Sequence, residues 1–390
     1  MKIAFIGQKG IPAVSGGVET RVEELATRMA KDGHNVFVYV RNNYTDKNLK
    51  KYKGVNLIHL PSITSKNLDT ISHTFLATIH ALFKDLDVIH YQAPGPSTLS
   101  WIIKVFKKNT ALVATFNSRD CFHQKWGWFA RKYLLFGEYI MSNIPDKTVV
   151  ISNILKEYVA KKYKKEAIVI TNGAKIKDTA ESGTIKEWGL RENRYIISVS
   201  RLIKHKGIHY LINAFKQLED TNKLPNNFKL VIAGEGFHTD EYVKYVKFIS
   251  QKRKNIVFTG SVTGKKLEEL FANAYLFVQP SEAEGLSIAL LEAMGYGVAP
   301  LVSDIPENIE PIGKAGFVFK NKSVPDLARK LAYLLNKPYE VKVAAKMAKE
   351  VAIAEHGWDS IAKKYLEVYN DLLIKKQSRR HIWRSKKIHG

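Results

Sequence analysis

The chain has 390 residues, of which 45% are hydrophobic and 25% charged, and its formal net charge is +24. At roughly 150 residues per domain, this length predicts two or three domains, and the composition excludes a disordered or collagen-like chain. The single cysteine, Cys121, excludes a disulfide framework and a cysteine-based zinc site, and it favours a reducing, cytosolic setting. The apolar run near the N-terminus is too short for a signal-peptide core, and no stretch approaches the ~18 apolar residues of a membrane span.

The charge is unevenly distributed along the chain. Residues 1–175 carry 26 Lys and Arg against 13 Asp and Glu, whereas residues 176–374 carry 28 against 24. Residues 375–390 carry seven basic residues and no acidic one. A basic first half and tail beside a nearly neutral second half predict that one lobe faces an anionic partner. Nucleic acid, an anionic membrane and a phosphorylated substrate all fit this pattern.

Short apolar runs alternate with longer amphipathic stretches in the first half, which is typical of strands and crossover helices in parallel sheets. The predicted strands cover residues 3–6, 36–40, 55–60, 88–91, 111–116 and 148–151. The predicted helices between them include residues 17–31, 97–107 and 126–141. This half of the chain is therefore predicted to form one doubly wound domain.

A second series of strands follows a polar segment without clear period, residues 173–193, which we predict to be a linker. These strands cover residues 195–199, 229–233, 256–259, 276–279 and 298–302. The sequence thus predicts two α/β domains with a ligand cleft between them, at the carboxyl ends of their strands. Two last helices, residues 339–351 and 358–373, have no following strand, and the sequence leaves open which lobe they pack on.

The loop after the first strand contains Gly7, Gly10, Gly16 and Gly17. Glycines allow a ligand to approach the backbone closely, and the amides at the start of a helix near Gly17 favour a phosphate. The spacing does not match G-x-G-x-x-G, which disfavours a dinucleotide oxidoreductase. A flexible turn between strand and helix is the alternative.

The motif Asp85-Leu86-Asp87 has the carboxylate spacing by which some sugar transferases hold a divalent metal. It lies just before the strand at residues 88–91, where acidic residues commonly close a turn, and no other ligand cluster accompanies it. We therefore favour a structural role for both carboxylates.

Arg201 and Lys206 follow the strand at residues 195–199, on the loop that opens the next helix. Two cations fixed at the carboxyl edge of a parallel strand suit a diphosphate, because Arg can bind two oxygens at once. A solvated basic loop is the alternative.

The segment at residues 280–295 contains Glu284 and Glu292, and its helix is predicted to begin near Leu286. Glu284 then lies just before the helix, and Glu292 lies two turns along an apolar helix, where a carboxylate needs hydrogen-bond partners such as ribose hydroxyls. A surface or capping role is the alternative for either residue. A phosphate could be held here by three backbone amides, those of Gly285, Leu286 and Ser287.

Taken together, these motifs resemble the family 4 glycosyltransferases of the GT-B fold, which use a nucleotide-diphosphate sugar and usually retain its anomeric configuration. The resemblance covers residues 1–374. It rests on Gly16-Gly17, on Arg201 with Lys206, on Thr171-Asn172-Gly173, and on Glu284-x7-Glu292.

The resemblance implies an architecture of two Rossmann-like, doubly wound α/β domains that face a cleft. Residues 1–172 would be the acceptor-binding domain and residues 173–356 the nucleotide-sugar-binding domain. Residues 357–374 would form a helix that crosses back to the first domain, and residues 375–390 a basic tail.

The resemblance also implies roles for matching residues. Arg201 and Lys206 would bind the donor diphosphate and stabilise the leaving group without a metal. Glu292 would hold the ribose hydroxyls, and Glu284 would contact the donor sugar, which we expect to be UDP- or GDP-linked. No further cofactor is expected. The phosphate site would be completed by the amides of Gly285, Leu286, Ser287, Gly16 and Gly17.

The chain departs from the family pattern after the strand at residues 111–116. Many members carry a His there that contacts the sugar, whereas this chain has Asn117. Asn117 can hydrogen-bond a hydroxyl but cannot take up a proton near neutral pH. Asp120 and His123 follow and could also reach the cleft. No general base stands out, and a front-face mechanism, in which the leaving phosphate accepts the acceptor's proton, would not require one.

Two segments bear on the acceptor. Residues 125–136 combine cations with aromatic side chains, as in a helix that lies at a bilayer interface, although the aromatic positions could equally be core. The tail mixes cations with Ile382 and Trp383, and each cation near an anionic surface contributes on the order of 1 kcal/mol. A disordered, solvated tail is the alternative.

We therefore predict a metal-independent, retaining hexosyltransferase of the family 4 type. It would be cytoplasmic and peripheral at the inner face of the plasma membrane, and it would build a polysaccharide or glycolipid on a lipid-linked or glycan acceptor, with no nucleic acid as partner. A nucleic-acid-binding protein, suggested by the charge, and a nucleotide-sugar epimerase on the same fold are the alternatives.

Overall fold

The computed structural model describes residues 1–14, 16–65, 68–119, 127–177, 181–236 and 239–388, with side chains described as far as Ser378. The chain forms two compact units. Unit 1 comprises Met1–Asn172 and Trp358–Gly390, and unit 2 comprises Gly173–Gly357. Each is built on a mostly parallel sheet with helices between the strands, which confirms the predicted class of two Rossmann-like α/β domains.

The strands of unit 1 are β1 (Lys2–Ile6), β2 (Asn35–Arg41), β3 (Lys51–Tyr52), β4 (Val55–Leu60), β5 (Val88–Gln92), β6 (Ala111–Phe116), β7 (Lys147–Val150) and β8 (Ile168–Val169). Within the described residues they form one eight-stranded sheet in the order β3-β4-β2-β1-β5-β6-β7-β8. All neighbours are parallel except β3 and β4. Strands β5 and β6 are buried along their whole length, as expected of central strands that are covered on both faces.

The helices between these strands are α1 (Gly17–Lys31), α2 (Leu68–Leu82), α3 (Pro94–Ser97), α4 (Ser100–Phe106), α5 (Trp128–Asn143) and α6 (Asn153–Tyr163). The apolar face of α1 repeats at helical spacing and is buried. The helix predicted at residues 97–107 is interrupted between α3 and α4. The hydroxyl of Thr98 turns back to the carbonyl oxygen of Gly95, at 2.7 Å, and residues Thr98 and Leu99 belong to neither helix.

The strands of unit 2 are β9 (Tyr195–Val199), β10 (Lys229–Ala233), β11 (Ile256–Gly260), β12 (Leu276–Gln279), β13 (Pro300–Ser303) and β14 (Phe317–Phe319). In the part of unit 2 that the structure describes, they form a six-stranded parallel sheet in the order β11-β10-β9-β12-β13-β14. The strand order reverses at β9, which lies between β10 and β12, and ligands bind at such points in open α/β sheets. The three-residue β14 is a strand that the sequence pattern did not predict.

The helices of unit 2 are α7 (Ile208–Asp220), α8 (Asp240–Ile249), α9 (Gly264–Ala272), α10 (Ile288–Gly295), α11 (Pro306–Ile312), α12 (Val324–Leu335) and α13 (Pro338–Glu355). Helices α7 and α12 pack against each other, and their apolar side chains join those of the sheet in one core. The segment predicted to be a linker contains a 3-10 helix, Thr184–Trp188, in unit 2. Both the amide and the hydroxyl of Thr184 donate to Oε2 of Glu269, each at 2.7 Å.

The last helix, α14 (Trp358–Ile388), belongs to unit 1, where it packs on α1 and β6. Its side chains Tyr365 and Tyr369, one turn apart, are fully buried. The helix continues to Ile388 without a break at residue 375, where the sequence predicts a change from crossover helix to tail. No helix in the described ranges is both long and apolar enough to cross a membrane.

Candidate active site

Two loops at the carboxyl edge of the unit 2 sheet bring Lys206 and Glu284 together. The loop after β9 ends in a 3-10 turn, Lys204–Lys206, and the loop after the neighbouring strand β12 carries Glu284. The Lys206 Nζ lies 2.6 Å from Oε1 and 2.7 Å from Oε2 of Glu284. The side chains are 16% and 7% exposed, so water screens this ion pair only weakly. Two residues that were predicted from separate motifs therefore contact each other directly.

The close approach of these two loops depends on Gly207. Its φ is +68°, and a Cβ atom at this position would lie 1.9 Å from the carbonyl oxygen of Pro280. The amide of Glu282 donates to the carbonyl oxygen of His205 at 2.8 Å, which joins the loops through their backbones. A side chain at residue 207 would force the loops, and with them Lys206, apart.

Arg201 lies at the beginning of the same loop, two residues after β9, and is exposed. Within the described residues its guanidinium has no ion-pair partner. The two predicted diphosphate ligands thus differ in the ligand-free state, since Arg201 is available to an anion whereas Lys206 is neutralised by Glu284. An incoming diphosphate would have to compete with Glu284 for Lys206.

The helix of the second motif begins at Ile288, two residues later than predicted. Ser287 is its N-cap, and the Ser287 hydroxyl accepts a hydrogen bond from the Leu290 amide at 3.3 Å. Gly285 and Leu286 precede the helix, and Glu292 lies on its second turn, half-buried. One short segment therefore carries Glu284, Glu292 and the backbone amides of residues 285–287. The binding roles of these groups stay predictions.

Glu282, which the sequence did not single out, is held beside this site. The Tyr210 hydroxyl donates to Oε1 at 2.9 Å, and the Lys322 Nζ lies 3.1 Å from Oε2. Burial alone would raise the pKa of Glu282, but the hydrogen bonds from Lys322 and Tyr210 outweigh it and keep the pKa below its ordinary value. Burial and this carboxylate raise the pKa of Tyr210 to about 12. Glu282 is thus a fixed negative charge next to Glu284.

In unit 1 the glycine-rich loop ends at α1, with Gly16 as N-cap and Gly17 as first residue. Gly16 has a φ of +104°, and a Cβ there would lie 2.2 Å from Oε2 of Glu19. The Glu19 carboxylate in turn accepts a hydrogen bond from the Lys9 amide at 3.0 Å. The positive φ therefore favours glycine where the loop folds back onto the start of α1, and a Cβ at Gly16 would displace the Glu19 carboxylate.

Further amides of this loop are occupied by side chains. The Ala13 amide donates to Oε2 of Glu23 at 2.7 Å, and the Val14 amide donates to the hydroxyl of Tyr44 at 2.8 Å. These hydrogen bonds fix the loop at several points, which argues against the alternative of a flexible turn. Gly16 and Gly17 lie at the start of α1, and their contact with a phosphate stays a prediction.

Asn117 lies at the carboxyl end of β6, where the sequence predicts it, and is 9% exposed. Its Oδ1 accepts a hydrogen bond from Arg21, which is on α1 and is 1% exposed. The other terminal nitrogen of Arg21 donates to the hydroxyl of Tyr365 on α14. The only sequence signal for Arg21 is its position one turn before Leu25, a buried residue of the α1 apolar face.

His90 on β5 connects the same network to α14. Its Nε2 lies 2.7 Å from the Thr115 hydroxyl, and its Nδ1 lies 2.7 Å from the Tyr369 hydroxyl. Burial, with a smaller contribution from the charge of Arg21, holds the pKa of His90 well below its ordinary value. His90 is therefore a neutral structural residue.

The Asp85-Leu86-Asp87 motif lies at the opposite, amino edge of the unit 1 sheet. Asp85 forms an ion pair with the Lys2 side chain, and Asp87 accepts the Lys2 amide at 2.7 Å. These contacts give both carboxylates the structural role that we favour above. No group of three His, Cys, Asp or Glu side chains able to hold a metal ion is found among the described residues. Asp120 and His123 lie outside the described residues.

Exposed apolar side chains lie on, or directly after, three neighbouring helices of unit 1. Helix α2 packs against α4, and α4 packs against α5. Trp128 and Phe129 on α5 are 70% and 78% exposed, so the alternative that these aromatics are core does not hold for them. The Lys132 Nζ lies 4.0 Å from the centroid of the Trp128 ring. We define the apolar face as Phe75, Phe83, Trp101, Val105, Phe106, Trp128, Phe129, Leu135, Phe136 and Tyr139.

Two family models match the chain in succession. Glycosyltransferase Family 4 matches residues 15–177, and Glycosyl transferases group 1 matches residues 184–352. The first lies almost wholly in unit 1, and the second lies in unit 2.

Proteins similar over most of the chain are also glycosyltransferases. An uncharacterized glycosyltransferase of Methanocaldococcus jannaschii is 25% identical over 397 residues, which cover 95% of this chain and 98% of that protein. Alpha-monoglucosyldiacylglycerol synthase of Streptococcus pneumoniae is 25% identical over 330 residues, 78% of this chain and 72% of its own. HepE of Anabaena, solved in complex with UDP-glucose, matches with a TM-score of 0.78 at 18% identity, over 95% of this chain and 100% of its own. The chain therefore belongs to the glycosyltransferases with the GT-B fold, as its motifs predict.

Proposed function

We propose that the chain transfers a hexose from a UDP- or GDP-linked sugar to a lipid-linked or glycan acceptor, without a metal ion and with retention of the anomeric configuration. The proposal is carried by the ion pair between Lys206 and Glu284. This pair lies on the loops that follow β9 and β12, where the strand order of unit 2 reverses, and Arg201 is on the same loop as Lys206. The fold neighbour HepE was solved with UDP-glucose, which supports a nucleotide sugar as donor. Retention rests on the likeness of these motifs to family 4.

Electrostatics explains how this arrangement would promote transfer. The bond between the sugar C1 and the diphosphate oxygen breaks, and negative charge accumulates on that oxygen. Arg201 can bind two diphosphate oxygens, and Lys206 can stabilise the leaving oxygen once the diphosphate displaces Glu284. A positioned donor of this kind is worth about 3 to 4 kcal/mol in the transition state. A cation in this position takes the part that a metal ion plays in other transferases.

The same exchange would release the carboxylate of Glu284 for the donor sugar. Sugar hydroxyls are hydrogen-bond donors, and a mostly buried carboxylate is a strong acceptor for them. Glu292 would accept the ribose hydroxyls, while the amides of Gly285, Leu286 and Ser287 would bind phosphate oxygens. As the bond from C1 to the acceptor oxygen forms, the acceptor's proton would pass to the leaving diphosphate, so that no protein base is needed.

Unit 1 is proposed to bind the acceptor at an anionic membrane, the inner face of the plasma membrane. The apolar face combines Trp and Tyr side chains with nearby cations such as Lys132, a combination suited to the bilayer interface. The tail begins beside this face, because Lys376 donates to the Lys108 carbonyl oxygen at 2.9 Å, two residues from Phe106. A glycolipid acceptor is further supported by the similarity to alpha-monoglucosyldiacylglycerol synthase.

Nucleotide-sugar turnover tests the donor half of the proposal. A panel of UDP- and GDP-sugars is screened first by thermal stabilisation, since a ligand at 100 times its dissociation constant adds about 2.7 kcal/mol. Lys206→Ala should then lower transfer by about 10²- to 10³-fold, with Lys204→Ala on the same turn as the matched control. Activity should survive EDTA, and the product anomer follows from NMR. Equal activity of the two variants would contradict the role of Lys206.

Vesicle flotation tests the acceptor half. The chain should float with vesicles that contain phosphatidylglycerol and less with pure phosphatidylcholine. Replacing Trp128 and Phe129 together by Ser should abolish flotation, whereas Phe248→Ser, at an equally exposed position of unit 2, should not. A double variant that floats as well as the wild type would rule out the apolar face as the membrane contact.

A further inference from the structure

Arg21 is a buried cation without a buried anion. Its side chain is 1% exposed, and among the described residues it forms no ion pair with a carboxylate. Its two terminal nitrogens donate to neutral oxygens, Oδ1 of Asn117 and the hydroxyl of Tyr365. A buried charge that is compensated only by neutral acceptors is costly, and a hydrophobic residue would fill this place at lower cost.

The contact with Arg21 determines which way the Asn117 amide points. A guanidinium has only N–H donors, so it requires the carbonyl oxygen Oδ1 on its side. The Nδ2 group of Asn117 must then face away from Arg21. Nδ2 is enclosed and has no hydrogen-bond partner in the part of the chain that the structure describes. Asn117 is thus held with an unused donor at the carboxyl end of β6, where ligands bind in such sheets.

Helix α14 fixes Arg21 in this orientation. The Tyr365 hydroxyl accepts from Arg21 and lies 3.3 Å from the Thr115 hydroxyl, which in turn lies 2.7 Å from His90 Nε2. One direction satisfies the whole chain of hydrogen bonds: Tyr365 donates to Thr115, Thr115 donates to Nε2, and Nδ1–H of His90 donates to Tyr369. The direction of each of these hydrogen bonds between Arg21 and α14 is therefore assigned.

We propose that Arg21 is a positioning residue for sugar transfer, which fixes Asn117 so that Nδ2 donates a hydrogen bond to a hydroxyl oxygen of the substrate bound at the carboxyl edge of the unit 1 sheet. The inference rests on the proposed function, because it assigns the polarity of one contact in that site. It also gives α14 a part in the reaction, since Tyr365 holds Arg21 in place.

Asn117→Asp tests the polarity of the contact. Asp has the same shape, and it keeps an oxygen toward Arg21 while it replaces the unused donor by an acceptor. The melting temperature should equal or exceed that of the wild type, because Arg21 gains a counter-ion, whereas kcat/KM should fall at least about tenfold. Asn117→His, which can accept from Arg21 through Nδ1 and donate through Nε2, should keep more activity than Asn117→Ala. Wild-type activity in Asn117→Asp would overturn the proposal.

A double-mutant cycle separates positioning from a purely structural role. Arg21→Gln should lower kcat/KM about tenfold in the presence of Asn117 and have little further effect in Asn117→Ala. Tyr365→Phe, a milder change, should give a smaller loss that also disappears in Asn117→Ala. Equal losses in both backgrounds would show that Arg21 only supports the fold, and would overturn the inference while leaving the proposed function intact. If the wild type turns over no nucleotide sugar, both the proposed function and this inference are wrong.

Discussion

The Nζ of Lys206 contacts both carboxylate oxygens of Glu284, at 2.6 and 2.7 Å, across two loops that are 78 residues apart in sequence. The ion pair joins the cation proposed for the leaving group to the carboxylate proposed for the donor sugar. In the ligand-free state each side chain therefore neutralises the charge of the other. Binding of a diphosphate must break this pair, so the strength of the pair sets part of the affinity for donor and product.

Glu284→Gln removes the charge that competes for Lys206. We expect UDP or GDP to bind about three- to tenfold more tightly to this variant, because the diphosphate no longer displaces an anion, while transfer becomes slower. Isothermal titration calorimetry measures the affinity. Glu282→Gln is the matched control, since Glu282 pairs with Lys322 and not with Lys206. Unchanged or weaker diphosphate binding in Glu284→Gln would contradict the exchange.

Gly207→Ala should destabilise unit 2. The new Cβ would lie 1.9 Å from the Pro280 carbonyl oxygen in a backbone conformation with φ of +68°. Overpacking and backbone strain together predict a loss of about 2 to 4 kcal/mol in the free energy of unfolding, measured by urea denaturation. Gly264→Ala is the control, because Gly264 has a similar φ of +60° with open space around it, and should cost about 1 to 2 kcal/mol. Equal losses would mean that the loop contact is not tight.

Stability should fall as the pH drops below about 6.5, in part because of His73 on α2. Burial, and then the charge of Arg41, lower the pKa of His73 to about 4. Between these pH values the unfolded chain binds a proton that the folded chain does not, so the free energy of unfolding declines by up to about 1.4 kcal/mol per pH unit.

His73→Leu should reduce this decline between pH 7.5 and 5, as measured by urea midpoints. It should not abolish the decline, because burial also lowers the pKa of His90 and His90 contributes with the same sign. Identical slopes for variant and wild type would show that His73 is accessible to protons in the folded chain.

Glu138 is expected to hold α5 onto α6. Its carboxylate is fully buried, and Oε2 accepts hydrogen bonds from the hydroxyls of Tyr158 and Tyr163 at 2.7 and 2.8 Å. Glu138→Leu leaves both hydroxyls without this acceptor and should cost about 2 to 4 kcal/mol, whereas Glu138→Gln keeps an acceptor and should cost less. Thermal unfolding compares the two. A larger loss for Gln than for Leu would contradict this role.

The parallel sheets and half of the site could be read from the sequence. Strands such as β5 and β6 are continuous apolar runs, and Lys206 and Glu284 belong to motifs that follow strands directly. Each motif is local in sequence. The two motifs meet because the strands that precede them, β9 and β12, are neighbours in a doubly wound sheet.

The remaining contacts depend on tertiary packing. Arg21 and Tyr365 are separated by 344 residues, and their contact requires that α14 packs on unit 1, which the sequence leaves open. The loop amides taken by Glu19 and Glu23 likewise follow from how the loop folds back on α1. The start of α10 could have been predicted more closely, because Ser287 is a typical N-cap.

The return of α14 to unit 1 determines the order in which the two units can be completed during synthesis. Unit 2 is one continuous segment and has all its residues once Gly357 has left the ribosome. Unit 1 begins first, but its core lacks Tyr365 and Tyr369 until these two residues, which follow unit 2 in the sequence, have also been synthesised. A nascent chain that stops before Trp358 therefore leaves Arg21 without Tyr365, and it leaves α1 and β6 without the helix that packs on them. The unit translated first is the last to reach its native state.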